Sequence, residues 1–210
     1  MKLSSILAAV FLSVFTLCMP VLSQSPGHHG RKFLDTLDYD FTFAAVNTSL
    51  PNANTTGAPL VLGYSGYTHG MAIYVTSTYY TYPYNSYPSL RLVKHALRAI
   101  DSRGEWSTNA TIVRSRDSLV WISSTMYPYP EDNARIFSAE GCQSSQYPIL
   151  TAYNISSLWS LCPYPGFRGQ TQLVFNATTA GPPPLYDPAL CYPVNINIVP
   201  AERATVTVPL

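Results

Sequence analysis

The chain has 210 residues, and only 11% of them are charged, with 12 basic and 11 acidic side chains. That balance excludes the electrostatic footprint of a nucleic-acid binder, and 47% hydrophobic residues suffice for a core without a dense disulfide net. All but one of the 18 prolines lie beyond residue 23, which leaves little room for long helices.

The first predicted element is a leader. Lys2 precedes an apolar or small run over 3–22, and Val21-Leu22-Ser23 reads as a cleavage site, so residues 1–23 are a secretory signal peptide. No later apolar run reaches the roughly 18 residues of a membrane span, and residues 204–210 are too short and polar for a lipid-anchor signal. The processed chain is therefore expected outside the cell or in its wall, off the membrane. Residues 24–37 are predicted to be a flexible tail, and 38–210 a single domain.

From Asp38 the pattern turns to β. Alternating runs over 39–46, 60–64, 71–77, 90–94, 96–101, 111–114, 119–123, 149–153, 172–176, 194–199 and 205–208 are predicted strands. In the tenth of these, Val194, Ile196 and Ile198 point one way and Asn195 and Asn197 the other. In 71–78, the same rule puts Met71, Ile73 and Val75 in the core and Ala72, Tyr74 and Thr76 outside. Residues 154–161 read as a helical turn or two. Glycine and proline mark most junctions, and the spacing predicts an all-β antiparallel sandwich or barrel. A β-trefoil is the alternative, because Tyr-Pro motifs recur at 82–84, 127–130 and 163–165. Trp121 and Trp159 lie in apolar contexts and are assigned to the core.

Three cysteines lie beyond the leader: Cys142, Cys162 and Cys191. A bridge between 162 and 191 closes a loop of about 30 residues, worth about 3.6 kcal/mol in the chain-entropy model, and a 142–162 bridge is worth nearly the same. Local context favours Cys162–Cys191: each borders an apolar segment and precedes a proline or Tyr-Pro, whereas Cys142 sits in a polar turn. Five of the ten asparagines are N-glycosylation sequons: Asn47, Asn54, Asn109, Asn154 and Asn176. They are expected at exposed positions.

Half of the sixteen tyrosines fall between Tyr64 and Tyr87. Tyrosine combines a flat apolar face with a polar tip, which suits sugar rings. Tyr80, Tyr82 and Tyr84 share one parity and would form an aromatic row if extended; Pro83 places that row at a sheet edge or in a loop. The competing reading is cross-strand aromatic packing.

Signals for catalysis are sparse. Gly63-Tyr64-Ser65-Gly66 lacks the second spacer of the nucleophile elbow, and there is no zinc-protease helix, calcium loop or phosphate loop. A copper site would need His28 at a processed N-terminus with His69 or His95, but cleavage at Ser23 places His28 in the tail. Asp38/Asp40 and Glu131/Asp132 are candidate carboxylate pairs for glycoside hydrolysis, with surface carboxylates the default. No catalytic residue, metal ligand or cofactor is assigned.

Several phrases occur together: residues 57–63 (Gly-Ala-Pro-Leu-Val-Leu-Gly), 75–78 with 82–85, 104–106 with 108–111, Leu-Trp-Ser-Leu-Cys-Pro at 158–163, and 191–194 with 198–200. With them the chain resembles small secreted proteins of basidiomycete-type fungi and, more distantly, fungal cell-wall proteins of the phialide type. The likeness spans most of 38–201, omits Cys142 and the tail, and carries framework residues without a catalytic signature. It implies a non-catalytic role at a fungal cell wall or extracellular matrix, with cell-wall polysaccharide as partner. The alternative is a lectin-like carbohydrate-binding module using 64–87; a copper-dependent polysaccharide oxidase or a glycosidase ranks third.

Overall fold

The computed structural model describes residues 31–124, 134–141, 145–166, 169–178 and 185–201. They contain β1 (Lys32–Leu34), β2 (Phe41–Asn47), β3 (Ala58–Thr68), β4 (Met71–Thr78), β5 (Ser89–Val93), β6 (Ala96–Ile100), β7 (Trp106–Ala110), β8 (Val120–Ser124), β9 (Phe137–Gly141), β10 (Ile149–Ala152), β11 (Trp159–Pro163), β12 (Thr171–Phe175) and β13 (Tyr192–Pro200). Nine strands close an antiparallel barrel in the order β2–β5–β6–β7–β8–β4–β12–β11–β13 and back to β2. Strand β3 pairs with both β2 and β4, and β10, β9 and β1 extend the sheet from β13.

The expectation of an all-β sandwich or barrel resolves as a barrel. Strands β5–β8 form a continuous meander, whereas β9–β10 and β11–β12 are separate hairpins that each join β13. The Tyr-Pro recurrence therefore does not mark a three-fold repeat. Tyr82-Pro83-Tyr84 sits in a loop, Pro163 ends β11, and 127–130 lies outside the described residues.

Alternation fills the interior as expected on β13: Val194, Ile196 and Ile198 are buried in the main core with Phe41, Phe43, Leu92 and Leu150. Trp121 and Trp159 are fully buried. Each ring N–H finds an acceptor there, Trp121 on Thr76 Oγ1 at 2.8 Å and Trp159 on the Leu150 carbonyl at 3.1 Å, so neither ring buries an orphan donor.

Four local readings are corrected. Residues 32–34 of the expected tail pair as β1 with β9, which the sequence reading omitted. The seventh strand lies at 106–110 instead of 111–114. The expected helical turn over 154–161 is instead the hairpin turn Tyr153-Asn154 followed by β11, since Trp159 and Leu161 alternate into the core. In β4 the inward face is reversed. Tyr74 packs on the core and Thr76 holds Trp121, while Ile73 and Val75 line a cleft on the outer side. The expected strand at 205–208 lies outside the described residues.

Tight turns set the registers of the β3–β4 and β5–β6 hairpins, and a third closes the isolated bridge between Ala152 and Ile155 after β10. His69-Gly70, Lys94-His95 and Tyr153-Asn154 each have two successive positive φ angles (45° and 80°, 48° and 66°, 55° and 59°). That is the geometry of two-residue turns whose twist matches the flanking strands. Asn-Gly or Asp-Gly, the usual sequence signal, occurs at none of them.

The Cys162–Cys191 bridge is present, with Cα atoms 4.3 Å apart. Cys162 lies on the outer face of β11. With Tyr164, Val174 and Tyr186 it forms a second small core, which holds the segment 185–191 against the barrel wall. Within that segment Asp187 caps a 3-10 turn, Pro188–Leu190, by accepting from the Ala189 N–H at 2.9 Å. Cys142 lies outside the described residues.

Candidate functional site

The tyrosine-rich segment is a β-hairpin followed by a pinned loop. Strands β3 and β4 pair with a bulge between Tyr64 and Gly66. The bulge adds one residue, Ser65, and so shifts the parity of everything beyond it. Tyr64 opposes Tyr74 and Tyr67 opposes Ala72, so Tyr64 and Tyr67 share the Tyr74 face although their numbers differ in parity. Tyr64 meets Tyr74 edge-on with centroids 5.8 Å apart, and Tyr74 meets Tyr87 at 5.2 Å. Burial, followed by its hydrogen bond with Tyr87, pushes the Tyr74 hydroxyl pKa well above the usual tyrosine value. Thr108 Oγ1 in turn donates to Tyr87 Oη at 2.8 Å.

Beyond β4 the chain does not stay extended. The Thr81 and Tyr82 N–H groups both donate to the Thr78 carbonyl, which makes a turn. This loop is tied to the barrel at two points: Tyr79 N–H donates to the Pro59 carbonyl at 2.9 Å, and Thr171 N–H donates to Thr81 Oγ1 at 2.9 Å. The turn breaks the even-numbered row. Tyr80 projects alone and is 94% exposed, Tyr84 is 65% exposed, and Tyr82 is half-buried with its ring 5.2 Å from that of Tyr84. The result is one pair and one isolated ring on a preorganised loop at the Thr78 end of the hairpin, while Tyr67, also exposed, lies at its opposite, turn end.

The other candidates separate. His69 is exposed at the β3–β4 turn, and His95 occupies the β5–β6 turn with Nδ1 3.0 Å from the Phe137 carbonyl. Among the described residues no group of three metal-ligating side chains occurs; His28 lies outside them. Asp40 is held by Arg91 through both guanidinium and carboxylate edges, and Asp38 is exposed. Glu131 and Asp132 are outside the described residues. Glu140 is the one buried carboxylate among them, with Oε1 3.3 Å from Arg31 Nε. Arg103 binds Asp101 at 2.8 Å, which holds the Asp101 carboxyl below its ordinary pKa, and Arg98 stacks 3.7 Å over Trp106.

None of the five sequon asparagines is buried. Asn54 and Asn154 are exposed; Asn47, Asn109 and Asn176 are half-buried. At four of them the side-chain bonds run through Oδ1: Asn47 accepts from Ser49 and Leu50 N–H, Asn54 from Gly57, Asn109 from Trp106 Nε1, and Asn154 from Ser138 Oγ. Nδ2, the atom that a glycan would take, stays out of those bonds. At Asn176 it is Nδ2 that bonds, to Ser115 Oγ at 2.8 Å.

Sequence reasoning missed two clefts. One, about 560 Å³, lies under the β2–β3 loop among Leu50, Leu161, Tyr192 and Val194, with Asn47 and Asn54 at its rim. The other, about 470 Å³, lies on the outer face of β4, β8 and β12, with Leu185 and Tyr186 as a wall. Its residues are scattered from Ser65 to Tyr186, so no local motif could have announced it.

Comparison of the chain with family models, with curated proteins and with solved structures finds no match.

Proposed function

We propose that this chain is a secreted, N-glycosylated barrel protein of a fungal cell wall or extracellular matrix, which binds wall polysaccharide through its tyrosine-rich face and does no catalysis. The observation that carries this reading is the exposure of the phenol rings of Tyr80 and Tyr84, with Tyr82 packed against Tyr84, on a loop fixed to the barrel. A rigid platform loses little entropy on binding, and flat rings match the apolar faces of pyranoses. The leader at 1–23, the disulfide and the sequons support an extracellular setting. The resemblance to small secreted fungal proteins supports the wall. The candidate Asp38/Asp40 pair gives no comparable support for hydrolysis, because Arg91 occupies Asp40.

The test is a pull-down of the secreted protein with insoluble chitin and β-glucan. At about 1 kcal/mol per stacked ring, replacing Tyr80, Tyr82 and Tyr84 with alanine weakens binding by about 100-fold. The melting temperature stays within a few degrees, since Tyr80 and Tyr84 carry little packing. Failure of the unaltered protein to bind either polymer sinks the reading. Peptide mapping of the secreted protein checks its glycosylation separately. Asn47, Asn54, Asn109 and Asn154 are expected to carry glycans and Asn176 to be the least occupied, because its Nδ2 is engaged. Five unmodified sites contradict that expectation.

A further inference from the structure

The cleft on the outer face of the barrel contains a buried hydrogen-bonding group without a partner. Gln172 is 1% exposed, and its Nε2 has no acceptor. Its Oε1 is 2.7 Å from Ser118 Oγ, which is also 2.9 Å from Tyr164 Oη. A hydroxyl has one proton and an amide oxygen has none, so Ser118 donates to Gln172 Oε1 and accepts from the Tyr164 hydroxyl, and the chain Tyr164–Ser118–Gln172 is complete without Nε2. Burial raises the Tyr164 hydroxyl pKa to about 12, which keeps that chain protonated across the physiological range.

A buried donor left unpaired is costly, and an acceptor that enters the cleft recovers that cost once a turn of the Gln172 amide uncovers Nε2, which is sealed from solvent here. The space before it has the size of a small-molecule site, about 470 Å³. Ile73, Val75 and Val120 supply an alkyl wall beside the amide, and Ile112 stands at the rim, 41% exposed. Arg116 and Asp117 also line the cleft, one charge of each sign, so the occupant offers a carbonyl oxygen next to a small apolar group, on a polar body without net charge. Acetamide has that form: its oxygen accepts from Nε2–H and its methyl group lies on the valine and isoleucine side chains.

We infer that this cleft is a binding site for an N-acetylated sugar, with Gln172 as its acetamide donor. The inference is independent of the tyrosine face: β4 presents Tyr74 to one side and Ile73 and Val75 to the other, so the two sites share no side chain.

The test is a titration of the secreted protein with N,N′-diacetylchitobiose and, separately, with cellobiose, which has the same linkage and no acetamide. Binding is read from the NMR signals of Tyr164 and Ser118, in the unaltered protein and in the Tyr80/Tyr82/Tyr84 alanine variant. Saturable shifts with diacetylchitobiose in both proteins, and none with cellobiose, are expected. Gln172→Met should weaken binding by about tenfold or more, as loss of one buried hydrogen bond does. Ile112→Glu is a second variant at an exposed position; it narrows the rim without entering the core, and it should weaken binding while leaving the melting temperature unchanged. Equal response to cellobiose, an unaltered affinity in both variants, or no response at millimolar diacetylchitobiose overturns the inference. Loss of β-glucan binding in the tyrosine variant with diacetylchitobiose binding intact separates this result from the fate of the tyrosine face.

Discussion

Replacing Trp121 with alanine should destabilise the barrel by about 3–5 kcal/mol, the largest single-residue effect expected here. The ring is fully buried on β8 among residues from across the barrel. Its loss leaves a cavity that the closed circuit cannot collapse, and it leaves the buried Thr76 hydroxyl without its indole donor. For a barrel of this size each kcal/mol moves the melting temperature by about 2–4 °C, so a fall of about 6–20 °C is expected by calorimetry. Trp121→Phe keeps most of the ring volume and removes only the N–H, so its cost should be about 1–2 kcal/mol. Equal costs for the two variants would show that the hydrogen bond, and not packing, dominates; a cost below about 1 kcal/mol for alanine would contradict the burial itself.

The second large effect belongs to the disulfide. Changing both Cys162 and Cys191 to alanine should cost about 3–4 kcal/mol, from the loop entropy restored to the unfolded chain. The structural consequence is local. Cys191 anchors the segment 185–191, whose Tyr186 packs 5.1 Å from Tyr164, ring centroid to ring centroid. Freed of the bridge, that segment should become the first site of limited proteolysis, and the wall of the outer cleft should loosen with it. Unchanged melting and unchanged proteolysis would show that the outer core of Tyr164, Val174 and Tyr186 holds the segment unaided.

The fold was legible where the pattern was local and one-sided. Val194, Ile196 and Ile198 alternate with polar residues, and only their face of β13 joins the apolar core; Asn197 on the other face is also buried, but against the Thr55 and Thr56 carbonyls. Proline density removed helices, and residue context alone chose the correct cysteine pair. The reversed face of β4 has one physical source, which is burial on both faces of a strand. Strand β4 has Ile73 and Val75 on one parity and Tyr74 on the other, and both sides are covered, one by the barrel interior and one by the 185–186 wall. Alternation then carries no sign. The bulge at Ser65 added a second ambiguity, since it places Tyr64 and Tyr67 on a common face that a strict period of two separates. The loop after Thr78 was hidden for another reason: its turn is closed by threonine hydroxyls and backbone bonds, with no glycine to mark it.

The candidate site divides in the same way. Tyrosine density was visible as composition, but which rings reach solvent depended on the bulge and the turn. The outer cleft was invisible, because Ser118, Tyr164, Gln172 and Tyr186 come together only through the pairing of β12 with β4 and the bridge that folds 185–191 back onto the wall. Gln172 in particular reads in the sequence as an ordinary polar strand residue.

The proposal that the tyrosine-rich face binds polysaccharide is tested most directly by NMR of the secreted protein with ring-labelled tyrosines, during addition of a soluble β-glucan oligosaccharide. Assignments would come from single Tyr→Phe changes. The account predicts saturable shifts in the rings of Tyr80, Tyr82 and Tyr84, with those of Tyr164 and Tyr186 unmoved because this sugar has no acetamide. Unmoved Tyr80, Tyr82 and Tyr84 rings at millimolar sugar, or shifts confined to Tyr164 and Tyr186, would contradict it.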